Sequence, residues 1–511
     1  MNGSILRWLS AIVLIVACSQ NLHSDERPNI ILIMCDDMGY SDIGCYGGEV
    51  QTPNLDRMAK QGLRFRQFYN NAKCTTTRAS IVTGLFPRRS GGLLTKNMVT
   101  LGEVLGAAGY QTSLSGKWHL GSGDTHPYKR GFSQFYGLLD GCCNFFDPSI
   151  RDPKYKGGRV RVFGRNDKKI TEFPDDFYTT DAFTDHAIEC IERATSNRQP
   201  FFAHLCYTAP HYPLHAKPAD IAKYRGKYKV GWEKLRQQRF RRMKELGIID
   251  DRHVLTETDP KSYRWEDSNQ DWEDHRMAVY AAMIDSMDQN IGRLLKTLKE
   301  TGADQNTLVL FLSDNGGCSE EPGGRARKGQ EPKLIPGPKE FYTAVGPAWG
   351  WAQNAPYKRY KSWCFEGGIK TPMIAYWPGR IKADSMTDQV GHIIDLMPTL
   401  IELADTTYPT EFSNKKIIPL EGVSLAATLL SGKESRRPPL AWEWSGTRAI
   451  RVGDEKLCWN KSVKKWELYD LARDPTESNN LANSAPEKVR KLSDDWFAWA
   501  AKTGLKTRKS K

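Results

Sequence analysis

The sequence lacks any apolar run long enough to span a bilayer. The one run that stands out, Leu9 to Cys18, covers ten residues, against the roughly 20 that a membrane helix needs. It follows Arg7 and ends in small residues, the pattern of a signal-peptide core. Residues 1–24 therefore read as a signal peptide, with the mature chain starting near Asp25. The stretch Ile15-Val16-Ala17-Cys18 also resembles a bacterial lipobox, so lipid attachment at Cys18 and ordinary cleavage nearby both stay open. The expected location is periplasmic, secreted or lipid-anchored at the cell envelope, with membrane contact only through a lipid on Cys18.

Cysteine is sparse. Eleven in 511 residues exclude a disulfide-built scaffold. Adjacent Cys142 and Cys143 could still serve two separate bridges. Internal repeats, low-complexity linkers and nucleic-acid-binding motifs are lacking too. Acidic residues are outnumbered, 60 against 73 Lys and Arg, for a formal net charge of +13. Ten of those basic residues fall between Lys223 and Lys244, where Glu233 is the single acid; the tail after Lys502 is also basic. Such a run is either a solvated helix face or a surface that attracts a polyanion. Without a nucleic-acid motif, an acidic glycan or a small anion is the better candidate.

What is present is globular. Hydrophobic residues make up 39% of the chain, and 15 Trp are spread along it, more aromatic content than a disordered chain carries. At roughly 150 residues per domain the length allows about two to four domains. Asn29 to Met34 is a continuous apolar run, as in a strand buried on both faces. Thr52-Pro53 suits the start of a helix with Leu55, Met58 and Ala59 on one face, closed by Gly62. Leu63 to Tyr69 reads as another strand, and strand, helix, strand predicts a parallel α/β sheet. Arg276 to Thr301 repeats apolar residues at helical spacing, and Thr307 to Leu312 is a second fully apolar strand. The α/β catalytic region is expected over 25–434. An insertion at about 213–275 carries the basic helix. A small α+β unit is expected over 435–511, with antiparallel strands at Thr447 to Trp459 and Lys464 to Tyr469 followed by a helix.

Two of these strands end in the same chemistry. Met34-Cys35 runs into Asp36-Asp37, and Leu312-Ser313 runs into Asp314-Asn315. Ligands of parallel α/β sheets bind beyond the carboxyl ends of the strands. Carboxylates adjacent at a buried strand end repel and need a counter-charge, which a cation supplies. All four groups offer oxygen, which favours Ca²⁺ or Mg²⁺ over Zn²⁺. Cys74 precedes a hydroxyl-rich, helix-like run, which puts it at a helix N-terminus that favours an anion. Arg78, one turn on, can fork onto two oxygens. As a small buried hydrophobe Cys74 would need none of this polar flank.

The stretch Cys74 to Gly84 resembles the type I sulfatase signature, C-x-P-x-R followed by four residues and T-G. Gly109 to His119 matches a second signature of that family at every position. Asp36 to Tyr40, Thr52 to Asp56, Ala209-Pro210-His211, Asp314-Asn315-Gly316 and Phe365 to Gly368 resemble it as well, in order, from about Pro28 to Leu481.

The resemblance implies an alkaline-phosphatase-like sandwich, a large mixed and mostly parallel sheet between helices, with a small C-terminal α+β domain against it. It implies a sulfuric ester hydrolase of arylsulfatase type. Cys74 would be oxidised to formylglycine by a formylglycine-generating enzyme, and the hydrated aldehyde, a geminal diol, would attack sulfur. His119 would assist sulfate expulsion as base, and His211 would protonate or orient the leaving oxygen. Lys117 and Lys361, the latter five residues before Glu366, would neutralise sulfate oxygens. Arg78 would hold the formylglycine side chain. Asp36, Asp37, Asp314 and Asn315, with the residue at Cys74, would bind Ca²⁺, Mg²⁺ being the lesser candidate.

The chain departs from the signature at Thr76, where the family has Pro or Ala, which bears on how well Cys74 is converted. Two other readings follow. One is a phosphate mono- or diester hydrolase on the same scaffold, which Asn315 disfavours because such relatives tend to carry His there. The other is a glycan-binding protein in which Cys74 stays a thiol. Family substrates range from aryl and steroid sulfates to sulfated polysaccharides, and the basic helix suits a sulfated carbohydrate.

Overall fold

A computed structural model describes residues 27–505. The expected signal peptide, Cys18 and the last six residues of the basic tail lie outside them. Among the described residues no helix is long and apolar enough to cross a membrane.

One eleven-stranded sheet organises the larger part of the chain. Its strands are β1 (Asn29–Cys35), β2 (Leu63–Tyr69), β3 (Gln111–Gly116), β4 (Gln134–Leu138), β5 (Phe163–Arg165), β6 (Lys168–Ile170), β7 (Phe201–Cys206), β8 (Thr307–Ser313), β9 (Lys370–Tyr376), β10 (Ser385–Thr387) and β11 (Gly391–His392). The order is β10-β2-β9-β8-β1-β7-β3-β4-β5-β6, with β11 also on β2. β8, β1, β7, β3 and β4 run parallel. β9 is antiparallel to both β8 and β2, so the sheet is mixed and mostly parallel, as expected. β2 does not sit beside β1, because β8 and β9 insert between them.

The central strands are apolar on both faces because both faces are covered. Ile31, Ile33 and Cys35 of β1 pack in one core with the helices Thr179–Ser196 and Gln270–Glu300. Ile30, Leu32 and Met34 face a second core built on the helices Cys74–Thr83, Leu101–Ala107 and Leu396–Leu403. The long helix starts at Gln270, six residues before the expected Arg276, because Asn269 caps it by accepting from the Trp272 N–H at 3.1 Å.

Thr52 stands before the helix Pro53–Lys60 but does not cap it. Its hydroxyl accepts from Gly44 N–H, 2.9 Å, and donates to Asp56, 3.1 Å. Gly62 also has a different reason from the expected one. It follows the helix end at Gln61, and a Cβ there would lie 2.3 Å from the Ala375 carbonyl of β9. All ten described cysteines are free thiols. Cys142 and Cys143 therefore form no bridges; both are buried in the core, and Cys142 Sγ lies 3.3 Å from the Tyr342 hydroxyl.

A four-stranded antiparallel sheet follows, from Leu440–Trp444 through Thr447–Val452 and Glu455–Asn460 to Lys465–Asp470, and the helix Pro486–Thr503 covers one face. The other face joins the main core through Leu440, Trp442, Ala449 and Cys458. Trp442 donates to the Asn70 carbonyl, 2.7 Å, just before the Cys74 loop. Lys456 is buried between Glu366, 2.6 Å, and Glu477, 2.8 Å.

The basic helix Trp232–Glu245 is only partly a charged surface. Lys234, Arg241, Arg242 and Lys244 are exposed. Arg236 and Arg239 are 1% exposed. Arg236 donates to the Thr256 and Pro356 carbonyls and lies over the Trp351 ring. Arg239 reaches Asp42 at 2.6 Å and Glu49 at 2.8 Å. The Arg239 charge is thus neutralised internally and Arg236 is buried, so neither is offered to a glycan, while the four exposed residues stay on the surface. Replacing Arg239 strands the fully buried Asp42 carboxylate, a loss of about 3–5 kcal/mol for a broken buried pair. Arg239→Ala is expected to lower stability by that amount in urea unfolding, and Arg241→Ala by less than about 0.5 kcal/mol.

Candidate active site

Neighbouring parallel strands end at the same edge of the sheet, so residues far apart in sequence meet there. β1 ends at Asp36-Asp37 and β8 at Asp314-Asn315. β3 leads into Lys117 and His119, β7 into His211, and the helix Cys74–Thr83 opens at Cys74. Lys361 comes from the loop before the turn Glu366–Ile369. All ten residues singled out in the sequence converge there.

The contacts interlock three carboxylates with three cations. Arg78 donates to Asp314 Oδ2 at 2.9 Å and to the Lys117 carbonyl at 2.8 Å, and lies 3.7 Å from Asp36. Lys117 Nζ bonds Asp36 Oδ2. Lys361 Nζ donates to Asp37 Oδ2 at 2.7 Å, and Asn315 Nδ2 to Asp37 Oδ1 at 2.6 Å. His211 Nδ1 bonds the Tyr212 carbonyl at 2.6 Å, and its Nε2 lies 3.3 Å from Asp37 Oδ2. Because a carbonyl only accepts, Nδ1 holds a proton. Cys74 Sγ and oxygens of Asp36 and Asp314 all lie within 4.8 Å of one another.

The backbone is held unusually. Asp37 and His119 sit at φ 63° and 58°, a left-handed region that costs non-glycine residues on the order of 1 kcal/mol or more. Ala72 and Ser362 do the same at 59° and 70°. Ser362 N–H donates to the Ala72 carbonyl, 2.8 Å, which ties the Lys361 loop to the loop carrying Cys74.

Burial and the neighbouring Asp314 raise the Asp36 carboxyl, while Lys117, His211 and Arg78 oppose. Asp37 is also buried, yet His211, Lys361 and Lys73 hold it far below the carboxylate range. Burial and the Lys117 and Arg78 charges push His119 well down, so its imidazole is neutral and can accept a proton. Burial brings His211 down to about 4, with Asp37 opposing and Lys361 adding to the fall.

Two atoms point to a bound cation. Asp36 Oδ1 and Asn315 Oδ1 are buried and have no hydrogen-bond partner among the described residues, a costly state for a polar oxygen. With Asp37 and Asp314 they make an all-oxygen donor set suited to a hard divalent ion. The residues present fit Ca²⁺.

Thr76 is fully buried, and its hydroxyl donates to the Asn71 and Lys73 carbonyls at 3.1 and 2.9 Å. Lys370 is structural, buried against Glu366 at 3.6 Å and the Tyr357 ring at 4.4 Å. Trp118 packs in the second core and donates to Thr125. His204, His215 and His253 bond Leu32, Phe341 and Asp250 respectively and stay outside the cluster. Glu443 pairs with Arg88 at 3.1 Å, and Arg88 lies over Trp444.

The sequence did not mark Gly141, where a Cβ would lie 2.5 Å from the His119 ring. Any side chain there displaces that imidazole, and a lone Gly carries no signal of it. Lys73, Lys156, Tyr212 and Glu320 at the mouth were also missed, although Lys73 and Tyr212 adjoin Cys74 and His211.

The Sulfatase family profile matches residues 28–406. An arylsulfatase of Klebsiella aerogenes is 35% identical over 462 residues, 84% of this chain and 98% of that protein. An uncharacterised sulfatase of Schizosaccharomyces pombe is 32% identical over 528 residues, 94% of this chain and 95% of its own. The crystal structure of Ps i-CgsB in complex with k-i-k-neocarrahexaose superposes with a TM-score of 0.69 at 25% identity, covering 94% of each chain. The converging strand ends and these likenesses lead to one conclusion: the chain belongs to the sulfatase family, with its alkaline-phosphatase-like fold, and is a sulfuric ester hydrolase.

Proposed function

We propose that the protein removes sulfate from sulfated carbohydrate, using a formylglycine made from Cys74 and a Ca²⁺ ion held by Asp36, Asp37, Asp314 and Asn315. The observation that carries this reading is the charge balance around Cys74. Asp36, Asp37 and Asp314 are matched by Arg78, Lys117 and Lys361, all buried. A divalent ion on the two unpartnered oxygens would leave the pocket with surplus positive charge, as an anionic ester requires. Asn315, an oxygen donor, supports sulfate and Ca²⁺ over the phosphate and transition-metal alternative. The carbohydrate reading draws on the neocarrahexaose complex of the structural neighbour.

When present, the ion and the hydrated aldehyde supply a charge-stabilised oxygen nucleophile at position 74. Arg78, fixed by Asp314 and the Lys117 carbonyl, orients that side chain. Lys117 and Lys361 rest on Asp36 and Asp37 and turn to the sulfate oxygens when substrate enters, stabilising the charge that develops there. Neutral His119 takes a proton from the position-74 hydroxyl. His211, its Nδ1–H fixed on the Tyr212 carbonyl, has no proton on Nε2 while neutral, so it protonates the leaving ester oxygen only after Nε2 takes up a proton, as an imidazolium beside Asp37. A formylglycine-generating enzyme must act on Cys74 before folding, since Cys74 is 1% exposed afterwards. Export to the cell envelope is part of the same proposal.

Peptide mass spectrometry of native material should show Cys74 exchanging H₂S for O. An unmodified thiol would remove the nucleophile and favour a silent binding protein. Lys117→Ala and Lys361→Ala should each lower kcat on an aryl sulfate by about 10²–10³, the range for one lost transition-state donor. Ca²⁺ should raise the unfolding temperature more than Mg²⁺ does, and Asp36→Asn should abolish most of that rise. An equal response to both ions, or an undiminished rise in the variant, would count against the assigned site.

A further inference from the structure

One carboxylate at the mouth belongs to none of the interactions above. Glu320 lies in the loop after β8. Its Oε2 accepts from the Tyr212 hydroxyl and lies 3.8 Å from Lys156 Nζ. Its Oε1 lies 3.7 Å from Lys73 Nζ and 3.9 Å from Lys361 Nζ. Lys156 donates to the Tyr212 hydroxyl at 3.0 Å and lies over that ring. Lys73 adjoins Cys74 and Tyr212 adjoins His211, so this wall is continuous with the reacting groups.

Exposure gives the wall a direction. The Lys361 side chain is 1% exposed, and that of Glu320 is 40%. Lys361 is the inner group and Glu320 the outer one. A substrate whose sulfate reaches Lys361 therefore brings the adjoining part of its ring against Glu320. From Tyr212 ring contacts run through the buried Tyr342, centroids 5.9 Å apart, to Tyr155, another 6.3 Å on and 56% exposed. Burial pushes the Glu320 carboxyl up, but Lys361, Lys73 and the Tyr212 hydrogen bond outweigh it and hold it at about 2. It is ionised at neutral pH.

Loose, half-exposed pairs of this kind add little to stability, so stability does not account for an acid set among three lysines beside an anion site. Without it, Lys73 and Lys156 would form a second anion site next to the first. With it, the position accepts a hydrogen bond from a neutral hydroxyl and repels a second anion. We propose that Glu320 sets substrate specificity: it requires a free hydroxyl beside the sulfate ester and excludes a second sulfate or carboxylate there. The inference rests on the sulfatase reading and narrows its substrate class to sugar residues unsubstituted next to the ester. Lys73 and Lys156 hold the carboxylate in place, and Tyr155 offers an aromatic face for the next residue of a chain.

The test is binding without turnover. Calorimetry on Cys74→Ala protein would use mono- and disulfated galactose and glucosamine, with neighbouring disulfates matched to each monosulfate. The parent should prefer the monosulfate. Adding Glu320→Gln, which changes charge with little change of shape, should weaken the monosulfate about tenfold and tighten the neighbouring disulfate about tenfold. Glu320→Asp, which keeps the charge, should keep the preference. Parallel shifts for both sugar classes, like behaviour of the Gln and Asp variants, or no binding by any sugar of the panel would each overturn the proposal. Converted wild-type enzyme that binds the monosulfated sugars with this preference but cleaves none of them would count against the sulfatase reading alone, because the binding preference needs no chemistry.

Discussion

Three buried carboxylates at the ends of β1 and β8 set the constraint on which the rest of the site depends. Asp36, Asp37 and Asp314 are at most 1% exposed, and an isolated buried charge costs several kcal/mol. Nothing in their own strands neutralises them. The compensating charges come from the Cys74 helix through Arg78, from the end of β3 through Lys117, and from the Glu366 loop through Lys361. The fold must hold these segments in register, and the left-handed residues Asp37, His119, Ala72 and Ser362 mark where the backbone yields to do so. This arrangement also explains how a site for an anion can be built on acids. In the proposed mechanism each lysine is held by a carboxylate until a sulfate ester competes for it.

The surroundings serve the same end. The four strands nearest the site are neighbours in the order β8-β1-β7-β3, so one row of strand ends carries the three carboxylates, Asn315, Lys117, His119 and His211. The C-terminal sheet acts at a distance. Lys456 clamps Glu366 to Glu477, and Trp442 and Arg451 hold Asn70 and Tyr69 at the root of the Cys74 loop. Glu366 and Tyr69 also bond one another, at 2.8 Å. The smaller unit thus braces two of the loops that carry the site.

The legible parts of the sequence were those in which local pattern and final structure agree. Asn29 to Met34 and Thr307 to Leu312 are strands because a continuous apolar run needs cover on two faces, and the acids that follow are readable as strand-end groups. The resemblance located His119, His211, Lys117 and Lys361, which no spacing argument marks. What stayed hidden depends on contacts between distant segments. Gly62 looks like a helix stop, but its reason is the Ala375 carbonyl. Gly141 is silent until His119 lies against it. Glu320 reads as one more surface acid until Lys73, Lys156, Lys361 and Tyr212 gather around it. The basic run misled for the same cause: its charge is visible in sequence, but the partners of Arg239, Asp42 and Glu49, lie far away in the chain.

Thr76 shows where local and global requirements separate. The folded site makes no demand for proline there. The Thr76 hydroxyl donates to the Asn71 and Lys73 carbonyls, local groups of the kind a threonine at a helix start commonly meets. The helix still opens at Cys74, and Arg78 still reaches Asp314 and the Lys117 carbonyl one turn later. A proline preference at this position then has its physical origin in the unfolded chain, where proline fixes φ and threonine does not. Under the proposed conversion of Cys74, the substitution acts on the extended peptide that a converting enzyme would read, and leaves the geometry of the folded site intact.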